Sequence, residues 1–233
     1  MAENESKVIG FLKGGIAMID TYGVLKIVFA SLLMLFISFI TYLTFNPSFV
    51  FERYSEYEEK KHTESFNYRM ESTPIIQSIT NNMVIESKAL RCFIIEMHNG
   101  KYNASGLSFN YGALTYEGLR DNVESVQEDY SDFTLDRYPI LSYVYKHGKW
   151  SGNTEELRAI DKRMALKLES NGAHYLSISM IYGSKNDIGF IGASFEKNDN
   201  FDKNTVEMLL SKYSSKVSPY LDGERAKNKK ACY

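Results

Sequence analysis

The chain has 233 residues, with 27 Lys and Arg set against 29 Asp and Glu for a net charge of −2, so it carries no polyelectrolyte signal and no nucleic-acid partner is expected. Two cysteines, Cys92 and Cys232, exclude a disulfide framework and an all-cysteine zinc site. Seventeen Tyr and 14 Phe supply enough apolar bulk for a packed core in the roughly 190 residues that follow Thr44.

Residues 1–26 are too long for the n-region of a signal peptide, and no small-residue cleavage site follows the apolar run after them. Val8, Leu12, Ile16 and Ile19 recur at helical spacing and predict a short amphipathic segment at a membrane surface, although Gly10, Gly14 and Gly15 weaken the helix. Ile27–Phe45 then runs nineteen residues without a charge. At ~1.5 Å per residue it matches the ~30 Å hydrocarbon core of a bilayer, so it is expected to be a single transmembrane helix.

Ser31, Ser38 and Thr41 lie along one side of this span and are candidates for an assembly face, because small and hydroxyl residues let helices approach closely. The same hydroxyls can instead bond to their own backbone in a passive anchor. Lys7, Lys13 and Lys26 before the span balance Arg53, Lys60 and Lys61 after it, so charge does not decide orientation. With Lys26 hard against the membrane, the expectation is a cytoplasmic N-terminus. Tyr42, Phe45, Phe49, Phe51 and Tyr54 form the aromatic band of the far interface.

Residues 46–72 are charged and free of Gly and of Pro after Pro47, which predicts a helical stalk carrying His62 on its solvated surface. Ser72-Thr73-Pro74 reads as the start of a new helix, whose face Ile75, Ile76, Ile79 and Met83 would pack on a globular domain over 73–221. Strands are expected at Ala89–Met97 and Gly106–Glu117, helices at Asp136–His147 and Thr154–Ser170, and a hairpin at Ala173–Tyr182 and Ile188–Glu196. Trp150 falls in the connection between the two helices. A final helix begins near Asp202, with Asp199, Asn200 and Asp202 as cap candidates, and a basic tail occupies 222–233. This order describes an α+β domain, one antiparallel sheet with flanking helices, and resembles PAS- and GAF-like domains.

The loop HNGKYNASG after the first strand gathers Glu96, His98, Asn99, Tyr102 and Asn103, which would suit a small ligand or a partner; plain turn chemistry at Asn99-Gly100 explains part of it. Glu96 and His98 lie two apart on a strand and form a conceivable acid/base pair, but nothing supplies a nucleophile or a phosphate cradle, so no enzyme is expected and no cofactor or metal. His147 closes a helix and complements its dipole; His174 has no ligand spacing. The cysteines leave two readings: a Cys92–Cys232 bridge in an oxidising compartment, or a buried strand residue and a free thiol near a loose end.

The segments GVLKIVFASLLMLF, PSFVFERYSEYEEKK and IGFIGASFEKNDNFDKNTVEMLLSKYSSKV together resemble the holins of the T-even phages in layout. The resemblance implies a short cytoplasmic segment, one span of the host inner membrane and a periplasmic α+β domain. It further implies homo-oligomerisation in the bilayer, timed release of an endolysin, and regulation by an antiholin at the soluble domain. The alternative expectation is a membrane-anchored PAS/GAF-like sensing or binding module.

Overall fold

The computed structural model describes residues 23–98, 110–184 and 187–222. The chain divides into two units at Thr63/Glu64. In the first, α1 covers Val24–Phe45, three residues earlier at its start than the uncharged run. Among the described residues it is the one helix long and apolar enough to cross a membrane, and no part of it is buried. It ends where Pro47, lacking an N–H, cannot continue the ladder; Pro47 instead takes the first position of α2, Pro47–Ser87, with Asn46 as the single-residue break.

Residues 47–63 of α2 belong to the first unit and 64–87 to the second. The expected restart at Pro74 does not occur, since α2 runs through that residue. Pro74 removes the bond to the Met70 carbonyl, but Met70 is exposed, where water can replace that bond. Beyond it, Ile76, Thr80, Met83 and Val84 bury one face and hold the backbone helical. Thr73 Oγ1 donates to the Arg69 carbonyl at 2.8 Å, adding a bond within the turn that Pro74 weakens.

The second unit is built on one antiparallel sheet of six strands in the order β3-β2-β1-β6-β5-β4. They are β1 Arg91–His98, β2 Tyr111–Leu119, β3 Phe133–Thr134, β4 Lys149–Asn153, β5 Tyr175–Tyr182 and β6 Asp187–Phe195. The remaining helices are α3 Pro139–His147, α4 Thr154–Ile160, α5 Lys162–Ser170 and α6 Lys203–Leu221. The α+β expectation therefore holds.

Helices cover both faces. On one, Ile76, Met83 and Val84 of α2 and Val206, Leu210 and Val217 of α6 pack on Cys92, Ile94, Ile191, Ala193 and Phe195. On the other, Ile140 and Val144 of α3 and Met164 and Leu168 of α5 pack on Phe93, Ile95, Ile178 and Phe190. The period of two along β1 and β6 divides the residues between the two cores. Phe93 sits opposite Gly192 on β6, and a Cβ there would run into its ring; a glycine lets the aromatic lie flat against the sheet.

Two expectations about local structure are corrected. The Trp150 connection is the edge strand β4, paired with β5 from Lys149↔Ser179 to Asn153↔Tyr175. Five residues containing Gly152 give too little alternation to announce a strand. The helix expected over Thr154–Ser170 is two helices, broken at Asp161 (φ −142°, ψ 89°). Asp161 is buried, its carboxylate accepts from Met164 N at 2.8 Å and Ile140 N at 3.4 Å, and it caps α5 while tying down the start of α3. At the other edge, β3 pairs with β2 only at Tyr111 and Gly112. Beyond it, side chains occupy carbonyls of β2: Gln127 Nε2 donates to Thr115 O at 3.0 Å and Gln77 Nε2 to Glu117 O at 2.7 Å.

Candidate functional site

Of the loop residues singled out in the sequence, Glu96 and His98 end β1, whereas Asn99, Tyr102 and Asn103 lie outside the described residues. The structure does not join Glu96 to His98 as a pair. Glu96 is engaged by Arg69 of α2 through both carboxylate oxygens, Nη1–Oε2 at 2.7 Å with Nη2 on Oε1, and accepts from Thr115 Oγ1 at 2.5 Å. The Arg69 guanidinium also lies 5.2 Å from the centre of the Tyr116 ring. The Glu96 bond raises the Arg69 pKa above its ordinary value against the cost of burial. This is a tie between helix and sheet. His98 turns to Asp132, Nε2–Oδ1 3.4 Å, and stacks on Tyr111 with ring centres 5.7 Å apart.

The other sequence-level candidates fall out plainly. Thr41 Oγ1 donates to the Ile37 carbonyl at 2.8 Å, so this hydroxyl is bonded within its own helix; Ser31 and Ser38 stand on the same exposed helix. His62 is exposed. His147 ends α3 with Nδ1 2.8 Å from the Tyr143 carbonyl and its ring 4.1 Å from that of Tyr143. Cys92 is a fully buried residue of β1, its thiol pushed up to about 12 by burial, while Cys232 lies outside the described residues. Among the described residues no His, Cys, Asp and Glu cluster has the grouping of a metal centre.

A concavity of the second unit lies at the opposite end of β1, around Arg91. Arg91 points to the α3–α5 side of the sheet along with Phe93 and Ile95, and Glu117, the diagonal neighbour across the β1–β2 ladder, reaches the same place. Both side chains are nearly sealed from solvent, at 5% and 3% exposure. Arg91 Nε lies 2.7 Å from Glu117 Oε1, and Nη2 donates to the Glu124 carbonyl at 2.8 Å. Glu117 also accepts from Ser125 Oγ at 2.5 Å and from Val126 N at 3.2 Å. Two buried charges thus compensate each other and pin the segment that follows β2.

That segment forms one wall of an open cleft of ≈760 Å³, contributing Asn122, Ser125 and Glu128. Ser170 and Asn171, at the end of α5, form the facing wall, and Glu196 comes from beyond β6. Gly172 makes this wall possible: at φ 77° it lets α5 close with Gly172 N on Glu169 O at 3.1 Å and Ala173 N on Leu168 O at 2.9 Å, leaving Asn171 at the rim. Inside the cleft and adjoining it is an apolar cavity of ≈30 Å³ between the sheet and α3 and α5, walled by Phe93, Tyr130, Met164 and Ile178. Burial pushes the Tyr130 phenol well above its ordinary value, in keeping with a dry interior. Arg91, Val126 and Asn171 line both spaces.

Sequence reasoning missed this site. The signal was present as charges set into mainly apolar strands, Arg91 in ALRCFIIEM, which also carries Glu96, and Glu117 in YGALTYEGL.

No family model matches the sequence, and a search of curated proteins finds no match. Among solved structures, the chain is similar to the phycocyanobilin-bound GAF domain from a cyanobacterial phytochrome, at 10% identity over 69% of this chain and 94% of that one, with a TM-score of 0.47. It is likewise similar to the blue-light absorbing form of the Thermosynechococcus elongatus PixJ GAF domain, at 9% identity over 69% and 93%, TM-score 0.46. At such identity and overlap the likeness carries no argument, and the bilin is a property of those proteins.

Proposed function

We propose that this protein is a membrane-anchored binding module, in which α1 fixes the chain in a bilayer and the α+β unit takes a small ligand in the cleft above Arg91. The observation that carries this reading is the cleft of ≈760 Å³ lined by Arg91, whose buried charge Glu117 compensates. Its volume is that of a small-molecule site, and its lining is mainly polar, with Asn122, Ser125, Ser170 and Asn171 among the groups that could bond a ligand. The interior cavity of ≈30 Å³ is about the space of one or two waters, so a molecule as large as a bilin has no room behind the sheet in this conformation. Equilibrium dialysis of the full-length chain in micelles against a small-molecule library tests the reading. Compounds retained by the unaltered protein and released by Ser170→Trp, which sets an indole on the wall of the cleft, support it. Identical retention by both, or none by either, removes the cleft as the site.

A second reading, timed permeabilisation of a host inner membrane as by a T-even holin, is favoured by one feature: the apolar stretch of α1 is not buried within the chain and carries Ser31, Ser38 and Thr41 along one side. In this reading the N-terminus is cytoplasmic, the chain self-associates in the membrane, and an antiholin acts on a periplasmic α+β unit. Co-expression with a cytoplasmic endolysin tests it. Abrupt lysis after a delay, lost when the span is replaced, supports it; continued growth with the protein in the inner membrane rejects it. A reporter fused to the C-terminus reads the orientation directly.

A further inference from the structure

We propose that the cleft is coupled to α2 through β2, so that a ligand oxygen accepting from the Ser125 hydroxyl loosens the helix that leads on from α1. This rests on the reading of the unit as a binding module and names the element that occupancy of its site regulates. Two residues of β2 carry the coupling, because each is tied both to α2 and to the cleft wall. The Glu117 carbonyl accepts from Gln77 Nε2 of α2 at 2.7 Å, while its carboxylate accepts from Ser125 Oγ at 2.5 Å and Val126 N at 3.2 Å. The Thr115 carbonyl accepts from Gln127 Nε2 of the wall at 3.0 Å, while its hydroxyl donates to Glu96, the carboxylate that Arg69 of α2 engages.

Local geometry makes β2 able to serve both sides. The β1–β2 register shifts between Ile94, opposite Tyr116, and Ile95, opposite Leu114, so Thr115 is the extra residue of a bulge, a feature that re-aims a side chain. One residue beyond Glu117, Gly118 brings β2 so near α2 that a Cβ there would lie 2.8 Å from the Thr80 carbonyl oxygen; a shift of the strand is therefore felt by the helix backbone. The wall is the softer partner: residues 120–132 hold turns and one short 3₁₀ turn, with Ser125 and Gln127 exposed. Ser125 lines the cleft, and its hydroxyl has a single proton, which goes to Glu117, while its oxygen accepts from Gln127 N at 3.2 Å. A ligand oxygen that takes this proton withdraws it from Glu117 and slackens the hold on β2. Because α2 is one helix from Pro47 to Ser87, the turns that loosen are continuous with those that follow α1.

The test uses the full-length chain in detergent micelles and needs no ligand, because Ser125→Ala removes the proton that a ligand would divert. Hydrogen exchange is followed in peptides covering 66–80 of α2 and 120–129 of the wall, with 149–153 and 175–182 as references at the far edge of the sheet. Ser125→Ala speeds exchange in 66–80 about threefold, although residue 125 lies outside α2. Coupling is reciprocal, so Gln77→Ala speeds exchange in 120–129 about threefold, although residue 77 lies outside the wall. In the double variant neither segment exchanges more than about twice as fast as in the faster single variant, since both substitutions cut one connection. Unchanged or slower exchange in 66–80 with Ser125→Ala, or in 120–129 with Gln77→Ala, overturns the proposal. An equal rise in the reference peptides overturns it as well, because that is general loosening of the unit. None of these outcomes alters the Ser170→Trp dialysis, which judges the module reading by itself.

Discussion

Glu117 on β2 holds Arg91 on β1 and, through Ser125 and Val126, the segment that walls the cleft, so one buried carboxylate serves both the sheet and the site. Removing one partner of a buried pair leaves the other uncompensated. Glu117→Ala is expected to destabilise the α+β unit by about 3–5 kcal/mol in chemical denaturation, whereas the double replacement Arg91→Met with Glu117→Leu recovers most of that loss. Equal losses in the single and double variants would show that the pair is not what holds these strands.

The Arg69–Glu96 contact joins α2 to the sheet at its other end and is partly open to solvent, with side-chain exposures of 38% and 16%. Screening reduces its worth, so Glu96→Gln is expected to cost about 1 kcal/mol. The effect should be local: faster amide exchange in residues 66–74 of α2, with the exchange of β6 unchanged.

Pro74 sits inside α2 with its ring exposed. Pro74→Ala restores the N–H that the Met70 carbonyl lacks, and is expected to stabilise the unit by about 1–3 kcal/mol, read as a raised denaturation midpoint. A lowered midpoint would mean that the ring itself packs usefully.

Alkaline pH should weaken the fold. Burial raises the Cys92 thiol from 9.0 to about 12, and burial together with Glu86 raises the Tyr213 phenol from 10.0 to about 12. The folded chain keeps these protons while the unfolded chain releases them, so their contribution is full below pH 9 and declines as pH rises toward 12. Cys92→Ala should flatten the part of the decline that begins near pH 9, measured by denaturation across that range.

Membrane attachment through α1 predicts that a charge at its middle is costly. Leu33→Arg, about 2.5–3.5 kcal/mol unfavourable in a bilayer centre, should move the chain from the alkali-resistant membrane fraction into the soluble or aggregated one. Unchanged fractionation would remove α1 as the anchor.

The sequence by itself determined the apolar helix, since nineteen uncharged residues ended by Asn46-Pro47 need no tertiary partner to be read. It also determined the α+β class, the hairpin of β5 and β6, and the last helix with its Asp202 cap, because their periodicities and caps are local. Only the tertiary structure decided that α2 passes through Pro74, since burial of Ile76 and Met83 outweighs a local breaker. Only it decided that Lys149–Asn153 is a strand, because β5 supplies the hydrogen bonds that five residues cannot announce. The site belongs wholly to this second group. Arg91 and Glu117 are far apart in the chain and come together through the pairing of β1 with β2, so no spacing in the sequence could reveal them.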